Sequence, residues 1–263
     1  FFEMGNQPTS VGGIAVKAEA ELVEDAGDLG RGNRAGVTLN YDYTDYSFSN
    51  PVRFGGTAPW NIVQRYGVSV PLSFGLSDGW SVGLTPSFDW FRENGADAGD
   101  AFTWGGIVSA TKRFSNGNRL GFGMGVFDRI EETSAFPFIL VDWSISDRWR
   151  LVNPLPAGPT GPAGLELEYR FDSGWNVRLG AAWRNARFRL SNDGAVPNGI
   201  GEERGVPVFL RATHAFGEQM SLNLYAGLVT AGQLRVENSS GNELSQVDFD
   251  TAPLLGATFS ARF

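Results

Sequence analysis

The chain has no cysteine in its 263 residues, so neither a disulfide framework nor thiol chemistry is open to it. It has one histidine, His214, and therefore one candidate imidazole base. No stretch approaches the roughly 18 consecutive apolar residues of a membrane helix, which excludes a helical membrane protein. Basic residues are in deficit, 21 Lys and Arg against 29 Asp and Glu for a net charge of −8. A phosphate-tracking surface needs the opposite balance, which argues against nucleic acid as a partner. The first residues, Phe1-Phe2-Glu3-Met4, lack the basic start and long apolar stretch of a secretory signal. If the protein is exported, its signal peptide is expected to have been removed ahead of this numbering.

What is abundant is glycine (35), phenylalanine (20) and tryptophan (8), a profile of strands and tight turns. Apolar and polar residues alternate over long segments. From Trp80 to Trp90, Trp80, Val82, Leu84, Pro86, Phe88 and Trp90 share one face, with Ser81, Gly83, Thr85, Ser87 and Asp89 on the other. Ten steps of ~3.3 Å tilted by ~45° rise roughly 23 Å, close to the apolar band of about 25 Å around a transmembrane barrel. Soluble strands average only about 5 to 6 residues. Tyr66, Val68, Val70, Leu72 and Phe74 repeat the pattern, as do Val37, Leu39, Tyr41 and Tyr43. Trp175, Val177, Leu179, Ala181 and Trp183 do the same, after which Ala186, Phe188 and Leu190 become the apolar set; a bulge near Asn185 would account for that switch. The boundary aromatics expected from these runs are Trp80, Trp90, Trp175, Trp183 and the last residue, Phe263.

The chain ends Leu255-Gly256-Ala257-Thr258-Phe259-Ser260-Ala261-Arg262-Phe263, with apolar residues at the odd positions and a terminal Phe. This tail resembles the final strand that Gram-negative outer-membrane proteins present to their barrel assembly machinery. The resemblance implies export to the cell outer membrane and assembly through Leu255 to Phe263, and it sets the polarity of the rest. Tight turns at Ser77-Asp78-Gly79, Ser115 to Asn118, Ser146-Asp147, Asp172-Ser173-Gly174 and Gly217-Glu218-Gln219 then lie on the periplasmic side. Longer connections are expected outside the cell, at Ser47 to Trp60, Asn94 to Ala101, Glu131 to Ala135, Pro154 to Gly164, Asn192 to Gly205 and Asn238 to Asp248. As a whole the chain resembles the small, functionally uncharacterised outer-membrane barrels of proteobacteria.

The expected fold is therefore an all-β, transmembrane antiparallel barrel over residues 34–263, of twelve strands or, as the rival count, fourteen. Residues 1–33 form an N-terminal segment. Its stretch 12–24 also alternates, Ile14, Val16, Ala18, Ala20 and Leu22 against Ala15, Lys17, Glu19, Glu21 and Val23. Single-chain bacterial barrels have even strand numbers, so this stretch is expected in the lumen or at the periplasmic rim.

With apolar faces toward lipid, the opposite faces line the lumen: Arg65, Arg113, Arg148, Arg150, Arg170, Arg178, Arg184 and Arg211, with Asp89, Asp142, Glu166 and Glu168. Arginine's rigid fork of donors suits carboxylates and phosphates. The first functional expectation is a narrow passive diffusion channel for small, anionic solutes. Its rival is a closed barrel with a structural or partner-binding role, plugged by the N-terminal segment and Arg–Glu pairs. A lipid-modifying enzyme comes third, because no nucleophile and orienting group accompany His214, and position 216, where barrel lipases carry Ser after His-x, is Phe. The glycines of Gly121-Phe122-Gly123-Met124-Gly125 alternate with apolar residues and precede no helix, so they mark a strand with a small inner face and not a phosphate loop. Acidic residues gather in the connections, where carboxylates could meet lipopolysaccharide headgroups through divalent ions. The expected partners are outer-membrane lipids and lipopolysaccharide and the assembly machinery, with a monomeric chain. No cofactor, metal site or catalytic residue is expected.

Overall fold

A computed structural model describes residues 10–25, 33–49, 54–154, 163–172, 174–217 and 220–261. Phe263 therefore lies outside the described residues, as does the core of the Pro154 to Gly164 connection. The chain forms strands β1 (Ser10–Asp25), β2 (Arg34–Ser49), β3 (Ile62–Ser69), β4 (Leu72–Gly75), β5 (Trp80–Glu93), β6 (Phe102–Arg113), β7 (Arg119–Arg129), β8 (Glu132–Ser144), β9 (Trp149–Val152), β10 (Ala163–Arg170), β11 (Trp175–Arg189), β12 (Ile200–Phe216), β13 (Met220–Glu237), β14 (Glu243–Phe249) and β15 (Ala252–Ala261). They make one sheet in which thirteen strands follow one another in chain order. β4 completes β3 beyond Pro71, which has no N–H to give a ladder, and β15 completes β14.

Strands β5 to β11 form a closed ring of seven. Its last joint is a single parallel bridge between Arg92 of β5 and Arg189 of β11. The remaining strands extend the sheet on the other side of that joint.

The stretch 12–24 is part of the wall and not an insert in the lumen or at the rim. β1 pairs antiparallel with β2 over its whole length, from Ser10↔Ser49 to Asp25↔Arg34. The register explains why: Val16, Ala18, Ala20 and Leu22 stand opposite Tyr43, Tyr41, Leu39 and Val37, so the two alternations match. The count among the described residues is thirteen in place of twelve or fourteen.

One end of the barrel has short connections, including the 3-10 turn Ser77–Gly79 and the turn closed by Phe114 N–H donating to the Asn118 carbonyl. At the other end the strands run further than the sequence suggested. Most of Glu131 to Ala135 belongs to β8, while Ile200 onward belongs to β12 and Glu243 onward to β14.

The sense of the alternation inverts along the barrel. In β2, Val37, Leu39 and Tyr41 are exposed, Leu39 by 55%, while Asn40 and Asp42 are half-buried on the other face. Beyond Tyr43 the same inner face carries buried Tyr46 and half-buried Phe48, and the outer one exposed Asp45 and Ser47. β11 does likewise: Leu179 and Trp183 are exposed outward, Trp183 by 51%, but past Arg184 the inward residues are buried Ala186 and Phe188.

No bulge is needed for this. β11 and β12 keep one register from Trp175↔His214 to Arg189↔Ile200, so the face stays the same and only its polarity changes. The slip lies one strand further on, between Arg204 and Val206 of β12, where β13 inserts Ala231 with φ of +50°. That extra residue turns Leu234 and Val236 inward after Leu224 and Leu228 have faced out.

Candidate functional site: the barrel interior and its cap

Between the levels of Trp80 and Trp90 the interior holds charge. Glu166 and Glu168 of β10, Arg178 of β11 and Arg211 of β12 are brought together because register aligns Glu168 with Arg178 and Arg178 with Arg211. Arg178 Nε donates to Glu168 at 2.5 Å and its Nη1 to Glu166 at 3.3 Å, Arg170 Nε reaches Glu168 at 2.6 Å, and Arg211 pairs with Glu166. Arg211 is 0% exposed and stands over the Tyr225 ring, 5.8 Å from its centroid. Fully desolvated carboxylates and guanidiniums are tolerated only when paired in this way.

A second group joins Arg65 to Asp89 at 3.0 Å and to Asp42 at 3.7 Å, and a third joins Arg150 Nε to Asp142 at 2.6 Å. On the wall between them the β7 glycines leave space that rings fill. A Cβ on Gly123 would fall 2.3 Å from Phe138, and one on Gly125 2.6 Å from Phe136.

Past Trp90 the interior becomes an apolar core. Tyr46, Trp60, Val63, Phe188, Leu190, Leu234, Val236 and Phe249 are buried together, with Phe48, Phe54 and Phe91 against them. Trp60, 1% exposed, stands edge-on to Phe188 at 5.1 Å, Phe48 at 5.5 Å and Tyr46 at 6.0 Å. Here the connection between β2 and β3 folds back over the mouth.

Charged side chains tie this cap together from its edges. Glu93 accepts the backbone N–H of Asn61 and of Ser191, which binds two connections to the end of β5. Arg187 donates to the Ile130 carbonyl at 2.9 Å and to Glu237 at 2.6 Å. Arg189 donates to the carbonyls of Asp100 and Asn198 and to Glu131. Tyr46 and Arg184 both meet Glu203, a contact between β2 and β11/β12 that crosses the interior.

Burial raises the Glu93 carboxyl above the ordinary carboxylate range against the lowering effect of its two N–H donors. Glu202 goes the other way. Burial pushes it up, but Arg204 and Arg235 outweigh that and hold it low. Between the β5–β6 and β7–β8 connections the cap has a cavity of about 490 Å³ lined by Asp100, Asp128, Glu131, Glu132 and Arg189, among others.

Of the residues expected in the lumen, Glu166, Glu168, Arg178, Arg211, Arg65, Asp89, Arg150, Asp142 and Arg184 contribute to these inner clusters, with Arg170 reaching in from the rim. Arg148 sits in the β8–β9 turn, paired with Asp172 and accepted by the Tyr169 hydroxyl, and Arg113 is exposed at the end of β6. Sequence reasoning missed Glu93, Arg187, Arg189 and Trp60. Its one available signal was that Arg187 and Arg189 alternate with Phe188 and Leu190. His214 stacks on Trp175 at 4.6 Å and meets Phe216 edge-on at 4.7 Å.

A family model described as a domain of unknown function, DUF6268, matches residues 14–261. The chain belongs to the DUF6268 family. No curated protein and no solved structure matches it. The match begins inside β1 and ends with β15, so the DUF6268 domain takes in the wall, the ion-pair clusters and the cap together.

Proposed function

We propose that this chain is a membrane-spanning barrel of the Gram-negative outer membrane, sealed at its outer mouth, that serves as a closed barrel with a structural or partner-binding role. The observation that carries the membrane reading is the inversion of polarity. An apolar exterior around buried Glu166, Glu168 and Arg211 is the order a barrel needs in lipid, and an apolar interior under polar Asp45 and Ser47 is the order it needs in water. The change falls beyond Tyr43, Trp90 and Trp183, and aromatic side chains favour such a boundary. Trp90 there lies 5.6 Å from Tyr66 and 5.2 Å from Phe102, a row of rings across three strands.

The cap supports a closed mouth, because Trp60 and the Glu93, Arg187 and Arg189 contacts join the β2–β3, β5–β6, β7–β8, β11–β12 and β13–β14 connections across it. A partner at the cell surface, lipopolysaccharide included, would meet the acidic cavity beside Arg189. The Arg-lined diffusion channel is the second reading. It draws on one observation: Phe136, beside Gly125 on the inner wall, and the Arg65 side chain remain 40% and 38% exposed, so part of the interior below the cap is open.

Planar-bilayer recording separates the two. The closed-barrel reading expects no conductance steps from the purified protein, and heat-modifiable migration in detergent gels as the check that the barrel is folded. Steady steps from the unaltered protein would overturn it in favour of the channel, and anion preference would then test the arginine argument.

A further inference from the structure

The sheet has two edges left over. Among the described residues β1 pairs only with β2, and β14 and β15 pair only with β13. Their directions are fixed by their partners. β1 starts opposite Ser49 at the loop end and finishes opposite Arg34 near the short turns. β15 starts opposite Val229 and finishes opposite Met220, also toward the short turns. The two edges therefore run the same way, which an odd number of antiparallel strands requires. Cα atoms of β1 and β15 approach within 8 Å.

In hydrocarbon no water satisfies an open edge, so unpaired N–H and C=O groups at that depth must find a protein partner. We infer that β1 and β15 are each other's partner, and that the strands outside the β5–β11 ring close through a parallel β1–β15 seam, a departure from the even strand counts of single-chain bacterial barrels. The inference rests on the membrane reading above, since an edge in water could stay open. Parallel ladders have evenly spaced, slanted bonds and are slightly less stable per residue than antiparallel ones, so this seam is weaker per residue than the antiparallel joints on either side of it.

The absence of native cysteine makes the test clean. Paired cysteines are introduced at 18 or 20 in β1 and at each position from 254 to 258 in β15, in the full chain refolded into phosphatidylcholine vesicles. Disulfides form only where Cα atoms lie about 4.4–6.8 Å apart. The expected result is a reducible intramolecular disulfide, seen as a mobility shift of the monomer band, with the best partner of residue 20 further along β15 than that of residue 18. A partner number that falls instead of rising would mean antiparallel pairing and would overturn the seam. So would a disulfide-linked dimer, which makes a second copy the occupant of the edge. Absence of any cross-link, while the β1–β2 control pair Ala18→Cys with Tyr41→Cys forms one, would also overturn it. Protease protection measured on the same vesicles separates the two ideas: protected protein without the cross-link refutes the seam alone, and cross-linked but unprotected protein refutes the membrane reading alone.

Discussion

Replacing Trp60 with Ala should loosen the cap and leave the wall intact. The side chain is buried against Tyr46, Phe48 and Phe188, and its indole N–H makes no hydrogen bond among the described residues, so the substitution there removes packing and nothing polar. Large-to-small changes of this kind cost about 3–5 kcal/mol, and the three edge-on ring contacts are part of that figure. At 1.4 kcal/mol per tenfold, local opening should become roughly two to three and a half powers of ten more frequent. Hydrogen exchange read by mass spectrometry on the folded protein should show that acceleration in residues 54–63 and 186–191. Exchange along β6 to β8 should not change. Trp80→Ala, at the short-turn end of β5, serves as the control and should accelerate neither cap segment. Cap exchange within tenfold of the unaltered protein, with the barrel still heat-modifiable, would refute the claim that Trp60 holds the mouth closed.

Ala231→Gly should stabilise the protein by about 1 kcal/mol, because a non-glycine residue at φ of +50° pays a left-handed penalty and Ala231 is exposed, with little packing to lose; a lower urea midpoint would contradict this. Gly123→Ala should destabilise by about 1–3 kcal/mol, since the new Cβ meets the Phe138 ring at 2.3 Å and the Val108 carbonyl at 2.8 Å; an unchanged midpoint would show that the β7–β8 wall yields. The cap should respond to pH in two windows. Glu93, raised in the fold by burial, adds stability that fades as pH rises from about 4.3 through its folded value. Glu202, held low by Arg204 and Arg235 against burial, adds stability present above about 4.3 and lost as pH falls through its folded value. Urea midpoints followed by tryptophan fluorescence should lose the first slope in Glu93→Gln and the second in Glu202→Gln, and the reverse assignment would refute it.

A period of two tells which residues share a face, and that much was legible. Trp80 to Trp90, Val37 to Tyr43 and Trp175 to Trp183 all alternate as read, and the ladder Glu166, Glu168, Arg178 and Arg211 assembles where hairpin register puts it. The period does not tell which face is inside. With one environment assumed throughout, Phe188 and Leu190 had to face out, which demanded a bulge near Asn185 that β11 does not have. The same assumption made loops of β8, β12 and β14 residues that continue as strands. Arg187 and Arg189 gave no sign of burial beyond their alternation with Phe188 and Leu190, because most of the groups they bind, at Ile130, Glu237, Asp100 and Glu131, lie 50 or more residues away in sequence. β1 was displaced from the wall by the expectation of an even count, although its alternation already matched that of β2.

A closed barrel with a tied-down mouth also bears on how the charged interior is held. Glu166, Glu168 and Arg211 are fully buried, so removing one partner leaves another charge uncompensated, which is strongly destabilising. The ladder thus favours a single register of β10 to β12, with the cap built on the continuation of β11 and β12 beyond it.

The central claim is that the outward apolar belt meets lipid and that the polarity change past Tyr43, Trp90 and Trp183 is the water boundary. Single cysteines carrying a spin label at Leu39, Leu84, Val108 and Leu179, and at Asp45 and Ser47, test it directly through collision with oxygen and with a water-soluble nickel complex in lipid vesicles. The account predicts that the first four labels are reached by oxygen and shielded from nickel, and that the last two are reached by nickel. Nickel access at Leu84, Val108 and Leu179 equal to that at Asp45 would contradict it.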